Sequence, residues 1–202
     1  MKRPTAAMAE RLLVAVLAAG LATRFGGGKL DARCAGKPLG QWALDAVADA
    51  GLLSGIIITN PAPPLFATQA KDWRICINPE PERGLSSSLA LVGTHALAHG
   101  FETALVLLGD MPLVTPEHLQ DLCHVAPSAT DYGHNRPGVP ALLTRDLLEA
   151  CAALEGDRGA GPLLSAHKNL HLVPADTAML LDVDRPEDLA LAESYLLEKP
   201  SP

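Results

Sequence analysis

The chain has 202 residues, 48% apolar and 19% charged, a balance that supports a packed aliphatic core of ordinary domain size. A formal net charge of -7 argues against a non-specific nucleic-acid binder, whose backbone affinity needs clustered Lys and Arg. Aromatic residues make up only 3%, so the core must be built by interdigitated Ala, Leu and Val.

The apolar run over 12–19 comes first. It is too short to cross a bilayer, which takes roughly 20 residues. Glu10 and Arg11 precede it and Arg24 and Lys29 follow, unlike the flanks of a secretory signal. It reads as a strand of a cytoplasmic protein. Next come QWALDAVADAGLL as a helix, GIIIT as a strand, a Pro-rich link, RICIN as a strand, SSSLALVGTHALAHG as a helix and TALVLLGD as a strand. This alternation predicts β-α-β units and a mostly parallel sheet with helices on both faces.

Beyond Asp110 the pattern predicts a helix over 116–123 with Thr115 as N-cap, an irregular stretch, and VPALLT as a strand. Helices over 147–154 and 160–166, strands in LHLVP and AMLLDV, and a closing helix over 186–197 complete the reading. One domain over 1–202 is expected, with an ordered core over 12–197 and a frayed tail over 199–202. Cys34, Cys76, Cys123 and Cys151 lack the spacing of a zinc site and read as buried or free thiols in a reducing compartment.

The strongest chemical signal is LAAGLATRFGGGKL, a buried strand ending in a Gly-rich loop that carries Arg24 and Lys29. Glycines let backbone N–H groups approach phosphate oxygens, Arg offers a planar fork and Lys a mobile point charge. A P-loop would require Gly at Thr23 and Ser or Thr at Leu30, and no G-x-G-x-x-G follows the strand. The loop is therefore a different triphosphate cradle. Asp110 lies at the carboxyl end of another apolar run, where ligands gather in open α/β sheets. DVDRPEDL adds Asp182 and Asp184, and magnesium is commonly held by one or two carboxylates plus phosphate oxygens. Asp184 is favoured over Asp182, and Asp188 reads as a surface or capping charge. Thr59 and Asn60 end a further strand and are weaker candidates for base or sugar contact. His95 and His99 lie one helical turn apart without the Glu of H-E-x-x-H, so they read as a solvated helix face.

The loop resembles the opening signature of the MobA-like NTP transferases, L-A-[AG]-G-x-[SG]-x-R-[MF]-G-x-x-K followed by G-K-P-L. The matching residues are Leu17, Ala18, Ala19, Gly20, Arg24, Phe25, Gly26 and Lys29, then Gly36, Lys37, Pro38 and Leu39. Further similarities run in family order through NPEPERGLSSSL, LLGDMPLV, GVPALL, GDRGAGPLL and DVDRPEDLALA, and the molybdenum cofactor cytidylyltransferase branch is the best match. The resemblance implies a three-layer α/β/α sandwich, nucleotide-diphosphosugar transferase-like or Rossmann-like. It implies that the loop over 17–29 holds the nucleotide and that Asp110 binds the Mg²⁺ bridging its phosphates. Asn78 and Ser87 lie where relatives place groups that meet the nucleotide, although the serines over 86–88 could equally cap the helix they open. His134 falls in the stretch corresponding to the acceptor side and either touches the acceptor or is a plain loop residue. Asp157 and Arg158 fall in GDRGAG, where relatives carry G-D-x-G-A-R. Gly161 stands where they often have Arg, and LDARCAG replaces a more apolar run.

The implied reaction is attack by an acceptor phosphate oxygen on the α-phosphorus of an NTP, with loss of diphosphate. Alignment and charge neutralisation would supply the catalysis. The family acceptor is molybdopterin, the recipient a molybdenum hydroxylase or its maturation chaperone, and neither nucleic acid nor membrane is an expected partner. The cytidylyl branch tends to read L-A-A-G and the guanylyl branch L-A-G-G, so Ala19 is expected to narrow the base site in favour of CTP. Rival readings are a guanylyltransferase, a sugar-phosphate or polyol-phosphate nucleotidyltransferase, and a non-catalytic cofactor chaperone.

Overall fold

The computed structural model describes residues 11–154 and 160–198. Four short apolar runs form the parallel half of a seven-stranded sheet: β1 (Leu12–Ala18), β4 (Ile56–Thr59), β5 (Arg74–Ile77) and β6 (Thr103–Leu108). Two tiny strands, β2 (Arg33–Cys34) and β3 (Lys37–Pro38), pair as a separate hairpin. The remaining strands are β7 (Ser128–Asp131), β8 (Pro137–Thr144) and β9 (His171–Pro174). The sheet order is β5-β4-β1-β6-β8-β7-β9, and β8 runs antiparallel to both its neighbours. β1 lies between β4 and β6 and pairs in parallel with each, so the chain departs in opposite directions from the middle of the sheet. That reversal opens a crevice at the carboxyl ends of the strands.

Side-chain alternation along β1 sends Val14, Val16 and Ala18 to one face and Leu13, Ala15 and Leu17 to the other. The first face packs against α1 (Gln41–Asp49), α2 (Leu65–Gln69), α4 (Pro116–Leu122) and α7 (Pro186–Glu198). The second packs against α3 (Leu85–Ala98), α5 (Arg145–Ala152) and α6 (Ala160–Ala166). The result is the expected three-layer α/β/α sandwich. Among the described residues no helix is long and apolar enough to cross a membrane.

Thr115 caps α4 as expected, its hydroxyl accepting the His118 N–H at 3.2 Å. Asp188 likewise accepts from the backbone N–H groups of Asp184 and Arg185, at 3.1 and 2.8 Å. Three readings need correction. AMLLDV is not a strand: Thr177–Leu180 forms a 3₁₀ turn and the following extended residues make one backbone bond, Val183 N–H to Asp110 O at 3.0 Å, just past the carboxyl end of the interior strand β6. The irregular stretch after α4 contains β7, in which buried Ser128 and Thr130 are compatible with a strand because their hydroxyls donate to Leu122 O and Pro140 O. The Pro-rich link contains α2.

Candidate active site

β1 leaves the sheet at Ala18 and curls through the Gly-rich loop. Ala22 O accepts the N–H groups of Phe25, Gly26 and Gly27 at 3.1, 3.2 and 3.2 Å. Gly26, Gly27 and Gly28 have φ of 91°, 95° and 63°, the left-handed region that costs side-chain-bearing residues free energy. A Cβ on any of the three would meet nothing within 4 Å, so the space beside the loop is open. The curl delivers Lys29 to the start of a 3₁₀ turn, Lys29–Asp31, with its side chain 8% exposed.

Lys29 Nζ lies 2.6 Å from Asp110 Oδ2 and 3.6 Å from Asp184 Oδ1, and Arg24 Nη1 lies 3.0 Å from Asp184 Oδ2. Burial alone would lower the Lys29 pKa, but Asp110, with smaller help from Asp182 and Asp184, raises it above the ordinary value. Backbone bonds hold the carboxylates in place. Gly109 N–H bonds to Leu17 O at 2.9 Å and continues the β1–β6 ladder, while Asp110 O accepts from Val183. Val183 is wholly buried, and Asp182 and Asp184 on either side of it project the other way. Asp182 keeps solvent contact, yet lost hydration, then the charge of Asp110, push its carboxyl up to about 7. Lys29 opposes that rise, while Asp184 adds to it.

Asp110 Oδ1 is buried and has no hydrogen-bond partner, although such atoms are rarely left unpaired. An unpaired carboxylate oxygen beside two further carboxyls suits a hard divalent cation. Among the described residues no three Asp, Glu, His or Cys side chains make a ready cage. Such an ion would need further oxygens from a substrate, as Mg²⁺ commonly does.

Beside the loop lies a recess of about 210 Å³, walled by Gly20, Leu21 and Lys29 on one side and Asn60, Pro63 and Leu65 on the other. A larger hollow of about 530 Å³, bounded by His118, Met179 and Tyr195, contains none of the Lys29–Asp110 cluster. The smaller recess shares Lys29 with that cluster.

A family profile described as the MobA-like NTP transferase domain matches residues 14–171, well over half of the chain. The chain belongs to the MobA-like NTP transferase family. It is therefore a nucleotidyltransferase domain, as the resemblance of its loop implied. Its fold is similar to Rv0371c of Mycobacterium tuberculosis H37Rv, 25% identical, with a TM-score of 0.76 over 91% of this chain and 97% of that one. A structure of the same mycobacterial protein in complex with manganese aligns at 23% identity and TM-score 0.68, over 91% and 98%. A nucleotidyl transferase from Methanothermobacter thermautotroptrophicus, Mth528, aligns at 21% and 0.74, over 93% and 98%. No curated protein sequence matches.

In this transferase domain Arg24, Lys29, Asp110 and Asp184 come together as a cluster, with Leu17, Ala18, Ala19 and Gly20 leading into it. The Ala19 methyl, 5% exposed, is buried in the core layer with α3, while Ala18 lines the recess. Any influence of Ala19 on base choice must therefore pass through the loop backbone. Asn78 and Ser87 are buried and bonded to each other, Nδ2 to Oγ at 2.8 Å, and Ser88 accepts from the same amide at 3.2 Å. Ser87 Oγ also lies 2.9 Å from Glu80 O, so this knot ties the end of β5 to the start of α3. His134 stands exposed on a loop tip at φ 56°. Asp157 and Arg158 lie outside the described residues. The signature Lys37 is bound to Asp45 and lies 3.4 Å from the Trp42 ring centroid, a structural placement. His95 and His99 stack on each other at 4.1 Å on the partly exposed face of α3.

Sequence reasoning missed Tyr132. Its hydroxyl donates to Val139 O at 2.5 Å and lies 3.6 Å from the sulfur of Met111, the residue after Asp110. Burial, then Asp182 and Asp110, push its pKa up to about 12, so it stays a neutral strut beneath the carboxylates. A Tyr beside Gly133 in DYGHNRPGVP carries no local signal for this contact.

Proposed function

We propose that the chain transfers CMP from CTP to the phosphate of molybdopterin, or of its metal-loaded form, and releases diphosphate. The observation that carries this reading is the junction of Arg24 and Lys29 with Asp110, Asp182 and Asp184 beside an open Gly-rich loop. The loop backbone from Leu17 to Gly20, with Gly26 and Gly27, binds the nucleotide. Arg24 and Lys29 hold its triphosphate, and the recess takes the nucleoside. Asn78 and Ser87 shape the site from behind, and His134, Asp157 and Arg158 serve the acceptor.

Asp110 with Asp182 or Asp184 would hold Mg²⁺. Asp184 is favoured over Asp182, since it shares the Lys29 ammonium with Asp110 at 3.6 and 2.6 Å. Bound there, the ion would neutralise phosphate charge. The manganese complex of the mycobacterial relative supports a divalent ion. In the transfer, an acceptor phosphate oxygen forms a bond to the α-phosphorus as the α–β bridging bond breaks, and diphosphate carries away the electron pair. Lys29 and Arg24 exchange their carboxylate partners for phosphate oxygens and steady that charge.

The L-A-A-G form of the loop favours CTP over GTP. Four free cysteines, three of them buried, fit a reducing, cytoplasmic location for a single domain over 1–202. The deciding experiment measures diphosphate release from each of four NTPs against molybdopterin, sugar phosphates and polyol phosphates, with Mg²⁺ or Mn²⁺. Release is expected from CTP with molybdopterin. Release only from GTP, or only with a sugar or polyol phosphate, overturns the assignment.

A further inference from the structure

The two walls of the recess come from loops far apart in sequence, one following β1 and the other following β4. Each presents an exposed leucine, Leu21 at 51% and Leu65 at 64%, and both line the recess. Paired apolar jaws suit the flat face of a nucleobase. Asp31 joins the walls. Its Oδ2 accepts the Leu65 N–H and its Oδ1 the Phe66 N–H, both at 2.8 Å, across separations of 34 and 35 residues.

Those two N–H groups open α2, where Pro64 stands as N-cap without a side-chain cap bond. Pro63 and Pro64 have no N–H to offer, so Asp31 takes the first two donors of the segment. Through its own backbone, Asp31 N–H to Gly28 O at 3.1 Å, the same residue belongs to the turn that aims Lys29. Among the described residues Asp31 makes no ion pair, so its carboxylate serves these two amides. Beside this anchor the Phe66 ring packs close over Gly40, where an added Cβ would meet it at 2.5 Å.

We propose that Asp31 is a positioning residue that sets the spacing of the two walls and thereby selects the nucleoside. The proposal rests on the reading that the recess holds the nucleoside of an NTP. Asp31→Ala frees the Leu65 wall and widens the gap while leaving Lys29 and the carboxylates in place. Asp31→Asn keeps one acceptor oxygen and so half the anchor.

The test measures equilibrium binding of CTP and GTP with Mg²⁺ by calorimetry, and kcat and KM wherever turnover is found, for the wild type and both variants. Asp31→Ala is expected to weaken CTP about tenfold, to reduce the CTP:GTP preference, and to leave kcat within about twofold, with Asp31→Asn in between. A lowered thermal midpoint with unchanged Kd and unchanged preference overturns the proposal, since that is the mark of a purely structural cap. If Asp31→Ala does not fold, Asp31→Asn decides by the same criteria. A wild type that binds both nucleotides but transfers neither refutes the transfer reading alone, and one that binds neither refutes both.

Discussion

Lys29 is charged inside the protein because three carboxylates outweigh the burial that opposes it. Asp110→Asn should therefore slow turnover by about 10²- to 10³-fold, the usual loss when a group that stabilises transition-state charge is removed. Asp182 and Asp184 still hold the ammonium, so near-UV and far-UV circular dichroism should match the wild type. Near wild-type rates at limiting Mg²⁺ would reject the role of Asp110. Lys29→Ala should raise the KM for NTP and lower kcat. Lys29→Arg should not restore either, because a planar guanidinium is wider than the point charge this buried position holds. Steady-state kinetics on the two variants check this. These residues were legible in the sequence because glycines and a strand end mark them locally. Asp31 was not, since an acid whose partners are amides more than thirty residues away leaves no nearby pattern.

At the scale of elements, α3 and α5 touch at Gly93. A Cβ there would sit 2.4 Å from Leu148 O and 2.8 Å from Ala152 N, so Gly93→Ala must push two backbones apart. Overpacking of this kind costs about 1 to 3 kcal/mol, more than the roughly 1 kcal/mol that Ala gains in helix propensity. A fall in the urea midpoint is expected.

α4 carries a second testable element. Thr130 Oγ1 donates to Pro140 O and so accepts from His118 Nε2–H, at 2.8 Å each, which places a proton on Nε2 of the buried imidazole. Burial lowers its pKa, with Asp121 opposing. The stability it contributes is complete above its unfolded pKa, roughly 6.5, and is lost as pH falls through the lower folded value. Compared with His118→Gln, the wild-type urea midpoint should drop more steeply below pH 6.5, and parallel curves would refute the assignment. The parallel strands and their covering helices were legible because burial on both faces leaves unbroken apolar runs. AMLLDV misled for the same reason: a short apolar run looks alike whether it pairs as a strand or drops individual side chains, Met179 and Val183, into a core. β7 hid its identity in Ser and Thr whose hydroxyls find partners only in the folded chain.

Across the whole molecule, contacts that span most of the sequence complete the site. Arg24 meets Asp184 over 160 residues, and Ala35 N–H meets Glu193 Oε1 at 2.8 Å over 158, so α7 seals the loop that follows Lys29. Glu193→Ala should therefore be felt at the nucleotide as a raised KM, measurable with the same assay, although Glu193 itself holds none of the phosphates. Such long spans also bear on synthesis. The ribosome releases β1 and its loop well before the partners that finish them. A nascent chain halted before Asp184 should bind no NTP, and one extended beyond Glu193 should acquire nucleotide-dependent resistance to proteolysis in a single step, so that this enzyme stays inactive until α7 has emerged.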